Sequence, residues 1–226
     1  MNRLEILARE IVACERCPRL REYCEHVAET KRRAYRDWTY WGRPVPGFGD
    51  PRAKLLVIGL APAAHGGNRT GRVFTGDRSG DFLYRALFET GFASQPESVS
   101  RDDGMKLTGA YISAAVRCAP PDNKPKPDEF HNCRPYLERE IDLLKDVNVV
   151  VALGRIAFDT YLAILRDRGV IRSRAAFAFG HGMEHRMEGS PVLIASYHPS
   201  QQNTSTGKLT AAMLRKIFGR ARRYVR

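Results

Sequence analysis

Three sets of residues in this chain have types and spacings suited to chemistry. The first lies in Lys54 to Asp81, KLLVIGLAPAAHGGNRTGRVFTGDRSGD, where a short apolar run breaks into a loop with glycines at 59, 66, 67, 71, 76 and 80. Glycine lets backbone approach a ligand closely and adopt positive φ, and the same loop carries His65, Asp77 and Asp81. The second is His198-Pro199-Ser200 and the polar residues after it, from Gln201 through Asn203 and Thr206 to Lys208. Proline fixes the chain after the histidine, and the Ser, Asn, Thr and Lys side chains offer donors for phosphates and a base edge. The third is a set of five cysteines, at 14, 17, 24, 118 and 133. Cys14-x-x-Cys17 has a chelating spacing, Cys118 and Cys133 form a second pair, and Cys24 reads as a small buried hydrophobe. Four thiolates suit zinc or an iron–sulfur cluster, and spacing does not choose between them.

These groups need elements to position them. Leu55–Ile58, Leu107–Val116, Val147–Leu153 and Val192–Tyr197 are apolar runs that read as buried strands. Helical patterns fall at Leu4–Ala13, Arg19 to about Arg33, Ser79–Glu89, from about Glu129 with Asp128 as N-cap, from Gly154 to Leu165, and from about Thr206 to Arg223. Trp38–Asp50, rich in Gly, Pro and aromatics, reads as an ordered loop. Strands alternating with helices predict an α/β fold of three layers, with a central four-stranded parallel sheet between helices. In such a sheet the strand ends near Gly59, Arg117 and His198 lie along one edge, where open α/β sheets place their sites.

Length and composition bound the reading. A chain of 226 residues, 43% hydrophobic and 27% charged, fits one soluble domain over residues 1–226, with N-terminal helices in about the first 50. The expected setting is the cytoplasm: no apolar run approaches the roughly 20 residues of a membrane span, and the N-terminus lacks a signal-peptide core. Disulfides are therefore not expected. The net charge of +12 and pI of about 9.8 favour a polyanionic partner, most simply nucleic acid. Part of that charge sits in Lys31, Arg32, Arg33 and Arg36 beside Tyr35, Trp38, Tyr40 and Trp41, and part in a C-terminal cluster from Arg215.

The glycine-rich loop GLAPAAHGGNRTGRVFTGDRSG, the segment RCAPPDNKP with the later Cys133, and HPSQQNTSTGKLT together resemble the uracil-DNA glycosylase superfamily, and more narrowly its iron–sulfur family 5 (type B) enzymes. The resemblance implies a [4Fe-4S] cluster on Cys14, Cys17, Cys118 and Cys133, with zinc the lesser alternative. It implies that a deaminated base in DNA is flipped out and cut from its sugar by a monomer. Phe74 matches the aromatic that stacks on the flipped base, with Gly59, Leu60 and Ala61 supplying backbone close to it. His198 matches the residue that stabilises the departing base. Ser200, Gln201, Asn203, Thr206 and Lys208 are the expected DNA contacts, with the Gln201–Gly207 loop entering the duplex and Lys208, with the helix beyond it, on the backbone.

The chain also departs from the better-known iron–sulfur family 4 pattern. The acidic residue that follows the first loop glycine there is Leu60 here, and leucine cannot orient water. Asp77, within FTGD, is the expected water-orienting acid, its competing role being a helix N-cap. Ser113 stands where a base-reading asparagine is usual, Asn123 is a candidate substitute, and His65 is expected near the base or a phosphate. Fewer fixed donors imply weaker discrimination, and the resemblance to family 5 implies hypoxanthine and xanthine as substrates beside uracil. The alternative is a non-catalytic iron–sulfur module that binds nucleic acid or senses redox state, which requires neither the HPS loop nor FTGD. A nucleotide-phosphate cradle lacks its motifs, since neither GxxxxGK[ST] nor GxGxxG is present.

Overall fold

The computed structural model describes residues 2–225. In chain order its elements are α1 (Arg3–Val12), α2 (Pro18–Thr30), β1 (Phe48–Gly49), β2 (Leu55–Gly59), α3 (Gly67–Thr70), α4 (Arg78–Glu89) and β3 (Ala110–Ala114). There follow α5 (Pro127–Leu143), β4 (Val149–Leu153), α6 (Arg155–Asp167), β5 (Glu184–His185), β6 (Val192–Ser196), α7 (Gln201–Ser205) and α8 (Ala211–Ala221). The strands form one sheet in the order β1-β3-β2-β4-β6-β5. Its central four strands are parallel, as expected. The sheet has six strands rather than four because β1 and β5 add short antiparallel edges.

Both faces of the parallel strands are apolar, and alternate residues serve opposite layers. Leu55, Val57, Val149, Val151 and Ile194 pack with Leu83, Tyr84 and Leu87 of α4 and Leu214, Ile217 and Phe218 of α8. Leu56, Ile58, Val150, Ala152, Leu193 and Ala195 pack with Leu137 of α5 and Phe158, Tyr161, Leu162 and Leu165 of α6. No helix among the described residues is long and apolar enough to cross a membrane.

The chain steps from β2 to β3 on one side of β2, then crosses to β4 on the other. The end of β2 is therefore a topological switch point, where a crevice opens outside the carboxyl ends of the strands. Registers such as Gly59 with Ala114 and Leu153 with Ser196 bring those ends level.

Three expectations are corrected. The last helix is not continuous: α7 ends at Ser205 and α8 starts at Ala211, so the expected insertion loop is a short helix and a turn. Thr210 caps α8 by accepting from Met213 N–H, and α8 then runs away from the site edge. Near its end Tyr224 accepts from Asn148, just before β4. Arg222 and Arg223 thus lie away from the carboxyl ends of the strands, while Arg220 Nη1 reaches Gly182 O at 2.8 Å, next to His181. Finally, Lys126 rather than Asp128 is the N-cap of α5, because Pro127 takes the first helical position and the Glu129 carboxylate accepts the Lys126 N–H at 2.6 Å.

One buried ion pair joins the sheet to α5. Arg117 Nη2 donates to Glu140 Oε2 at 2.6 Å, and each side chain is 1% exposed. The same carboxylate accepts from Ser113 Oγ at 2.5 Å and Tyr111 Oη at 3.3 Å. Glu140→Ala would strand the guanidinium without its counter-charge, and is expected to cost about 3–5 kcal/mol, read from the denaturant midpoint. Adding Arg117→Met should recover part of that loss, and a single-mutant loss below about 1 kcal/mol would contradict a net role for the pair.

Candidate active site

Gly59 closes β2, and its missing side chain makes room for a ring. A Cβ there would lie 2.6 Å from Phe74 Cε2, so the ring of Phe74 rests on the strand-end backbone. Phe74 itself has φ +50°, an uncommon conformation for an aromatic residue that a well-tied loop must enforce. The ties are visible. Buried Arg72 donates to Thr75 Oγ1 at 3.0 Å, Ser98 Oγ at 2.7 Å and Asp103 Oδ2 at 2.6 Å. Tyr84 of α4 donates to Val73 O at 3.1 Å.

Asp77 is the N-cap of α4, its Oδ1 accepting from Gly80 N–H at 2.9 Å. Its other oxygen, Oδ2, faces Gly66, where any side chain would collide with it. The capping role expected as the competing reading is therefore real, yet it engages one carboxylate oxygen. Burial pushes Asp77 above the usual carboxylate range, opposed by the N–H groups of Gly80 and Ser79; Asp81 adds to the rise and the Arg69 guanidinium counters it.

His198 follows β6 and lies against Gly154, at the end of β4. Its ring centroid is 5.8 Å from that of Phe74, the planes tilted by 34°. Asn203 Nδ2 donates to the His198 carbonyl at 2.9 Å, so α7 holds the histidine's backbone. Burial lowers His198 to about 4. Its imidazole is neutral at physiological pH and can donate one N–H.

The other expected residues divide. Leu60 is half-buried, and its carbonyl accepts from Val116 N–H at 2.9 Å, extending the β2–β3 ladder. His65 is also half-buried, its Nδ1 3.0 Å from Tyr40 Oη. Burial and the neighbouring Arg32 and Arg69 lower its pKa. Ser113 is fully buried with its hydroxyl on Glu140. Asn123 sits on an exposed turn after Cys118 with φ +57° and has no contact with Phe74, Asp77 or His198 among the described interactions. Ser200 caps α7, Thr206 Oγ1 turns back to Gln202 O at 2.7 Å, and Gln201 is exposed. Lys208 Nζ lies over the Tyr197 ring, 5.0 Å from its centroid.

Two residues of this region escaped the sequence reading. His181 Nδ1 accepts from Tyr197 N–H at 3.3 Å, and its ring lies 5.2 Å from that of Tyr197. Arg69 bridges two parts of the loop, donating to His65 O at 2.8 Å and Gly76 O at 2.7 Å. Its position between Asn68 and Thr70 reads as polar loop, although the nearby aromatic run offered it partners.

Cys17, Cys118 and Cys133 share one buried cluster with Leu20, Cys24 and Val116, and Ala61 and Ala64 of the site loop pack on it. Cys14 lies half-buried beside the neighbouring Tyr136 cluster. Among the described residues no three such groups are gathered at metal-binding spacing, and the Cys24 thiol donates to Ala119 O at 3.5 Å. The donor chemistry nevertheless fits a thiophilic metal centre. The neighbouring Cys24 thiol and burial push Cys118 upward, and burial raises Cys17 and pushes Cys133 to about 12, so a cation is what would hold these thiols deprotonated. One N–H group already meets a sulfur: Asn132 Nδ2 lies 3.5 Å from Cys17 Sγ.

Comparison with known proteins adds to this geometry. A sequence model of the uracil DNA glycosylase superfamily matches residues 46–222. Over 219 residues the chain is 50% identical to the type-5 uracil-DNA glycosylase of Thermus thermophilus, covering 97% of each chain. It is 47% identical over 211 residues to the type-5 enzyme of Pyrobaculum aerophilum, covering 93% of this chain and 88% of that one. The type-4 uracil-DNA glycosylase of Archaeoglobus fulgidus is 28% identical over 202 residues, covering 88% and 83%.

The depressed pKa of His198 has a measurable sign. The unfolded chain takes up this proton near pH 6.5, the folded chain only near 4. This site therefore removes stability as pH falls through that window and has no effect on stability well above it. By NMR, the His198 ring protons should show no titration from pH 8 down to about 5. A midpoint above pH 6 would overturn the neutral site.

Proposed function

The chain belongs to the uracil-DNA glycosylase superfamily, and on that premise we propose that it is a monofunctional glycosylase that flips uracil out of DNA and hydrolyses its N-glycosidic bond. The product is an abasic site for base-excision repair. The observation that carries this reading is the packing of the Phe74 ring on Gly59 and beside His198 outside the end of β2, with Asp77 three residues further along the same loop.

Each residue has a part set by its surroundings. Phe74 offers its free face to the extruded base, while its other side leans on Gly59; stacking compensates for the lost duplex stacking. As the bond from the sugar C1′ to the base nitrogen breaks, its electron pair leaves with the base and positive charge builds on the sugar. The neutral His198 N–H donates to the base oxygen where negative charge develops, and does so in a partly buried pocket where such a bond is strong. Asp77 keeps one carboxylate oxygen off the α4 cap, and that oxygen orients the water that attacks C1′ and accepts its proton. Backbone at Gly59, Leu60 and Ala61 borders the base.

Base selection follows from what the edge lacks. Leu60 brings no carboxylate, and the Ser113 hydroxyl is engaged by Glu140. Asn123 has no hydrogen bond from its side chain among the described residues, and we assign it to the base edge or the water in the DNA complex. Such a site rejects alternative edges weakly, so hypoxanthine and xanthine are substrates as well. His65, oriented through Nδ1 by Tyr40, presents Nε2 to the base or a phosphate. Ser200, Gln201, Thr206 and Lys208 at α7 meet the DNA backbone, while Asn203 serves by holding the loop.

The thiols of Cys14, Cys17, Cys118 and Cys133 would hold a [4Fe-4S] cluster. When bound, it supplies structural cross-linking between the N-terminal helices and the loop after β3. The enzyme acts as a monomer on cytoplasmic DNA.

A uracil-containing oligonucleotide should become alkali-labile with the protein. Under single turnover, His198→Ala and Asp77→Asn should each slow release by about a hundredfold or more; a near-native rate for Asp77→Asn would remove it from water activation. Excess enzyme should also release hypoxanthine from duplex DNA, and an intact duplex would confine the activity to uracil. Lys208→Ala should weaken DNA binding across sequences and reduce the salt slope by about one contact. An unchanged slope would take Lys208 off the backbone.

A further inference from the structure

Arg69 is 3% exposed and has no carboxylate within ion-pair distance among the described residues. A buried cation without a counter-ion is costly, and needs compensation from dipoles or ring faces. Here the compensation comes from two directions. Nε donates to the His65 carbonyl and Nη2 to the Gly76 carbonyl, so one planar group spans the start and the far end of the site loop. The guanidinium carbon also lies 3.9 Å from the ring centroid of Tyr35 and 4.1 Å from that of Trp38. Those rings meet edge to face, at 81°. Nη1 is buried without a hydrogen-bond partner, which fits a group held by ring faces as much as by hydrogen bonds.

The segment that supplies the rings is basic. Arg32, Arg33 and Arg36 are exposed and form no ion pair among the described residues. Further along, Tyr40 holds His65, and Trp41 N–H donates to the Arg69 carbonyl at 2.9 Å. The segment 31–41 is therefore fastened to the loop at His65 and at Arg69, and the Arg69 side chain carries the connection on to Gly76, next to Asp77.

We propose that Arg69, gripped by Tyr35 and Trp38, is a positioning residue for the glycosylase reaction: it holds His65 and Asp77 in register and makes the basic segment 31–38 one rigid unit with the site loop. This rests on the glycosylase reading, which assigns Asp77 and His65 to the site. Lysine cannot replace Arg69. An ammonium lacks the planar fork that reaches two carbonyls while lying between two rings.

The test uses full-length protein and duplex DNA containing uracil. Three quantities are compared: single-turnover rate, Kd for the DNA, and amide hydrogen exchange at Gly76–Gly80 without DNA. Arg69→Lys should lower the rate by about tenfold to a hundredfold, leave Kd within about twofold, and speed exchange at Gly76–Gly80. Tyr35→Leu with Trp38→Leu, which keeps Arg69, should reproduce both effects, and Trp38→Phe should retain near-native behaviour. The double variant decides the matter if Arg69→Lys does not fold. Native rate and exchange in these variants would overturn the proposal. So would a slower rate with unchanged exchange, since Arg69 would then act on the DNA directly. If wild-type protein releases no uracil, the glycosylase reading fails, while the exchange comparison still reports on the clamp.

Discussion

Burial of two guanidinium groups, Arg69 and Arg72, is the constraint on which the site loop depends. The chain leaving β2 has too few apolar residues between Gly59 and Asp77 to be held by hydrophobic area alone. Its backbone carbonyls and N–H groups must still be satisfied where they are buried, and the two cations organise that. Arg72 has a carboxylate partner. Although burial works against it, hydrogen bonds from Arg72 and from the N–H groups of Met105 and Val99 hold Asp103 below the usual carboxylate range. Arg69 has carbonyls and rings instead. The positive φ of Phe74 lies between these two ties. A ring in that conformation persists because both flanks of its loop are fixed, which is how strain is kept at a functional site.

The partial burial of the same edge sets its electrostatics. Burial lowers His198 and raises Asp77, moving both toward their uncharged forms. The consequences differ because the proposed reaction asks different things of them. On the base side, a neutral imidazole gives a donor without placing a full positive charge near a forming oxocarbenium ion. On the sugar side, a carboxylate is useful only when ionised. The backbone N–H groups of Gly80 and Ser79 and the guanidinium of Arg69 all favour that form. The α4 cap is thus compatible with catalysis, since the helix N-terminus stabilises the charge that the water requires.

Much of this was legible in the sequence for physical reasons. Runs such as LLVIG and VVVAL are apolar on both faces, which only a buried parallel strand needs, and the four of them gave the sheet and its active edge. The two-residue strands β1 and β5 were not legible, because they are defined by pairing with a neighbour and have no periodicity of their own. α7 was hidden in QQNTS, a polar stretch that packs no apolar face and is held by its Ser200 cap. Among site residues, His198 stood out by its HPS loop after a strand and Asp77 by the FTGD motif. Ser113 could be placed on a strand, but its engagement by Glu140 could not, since the partner is far along the chain. Arg69 was invisible for a similar reason: an arginine in a glycine-rich loop reads as solvated unless the rings that enclose it are known.

The N-terminal helices show how distant parts of the chain support that loop. α1 and α2 contribute little to the sheet; they lean on α5 through Arg139 with Glu10 and through Arg19 with Glu129, at 2.7 Å. The exposed Arg139–Glu10 pair contributes little stability, while Glu129 is buried beneath Arg19. The thiol cluster lies deeper, and Ala61 and Ala64 rest on it directly. Arg117 then connects that cluster to the sheet: its side chain meets Glu140, and Cys118 is its neighbour in sequence. A displacement of the cysteines would therefore reach the site by two routes, through Ala61 at the start of the loop and through the end of β3. Cross-linking the thiols would fix both at once, which gives the cluster a positional role that requires no electron transfer.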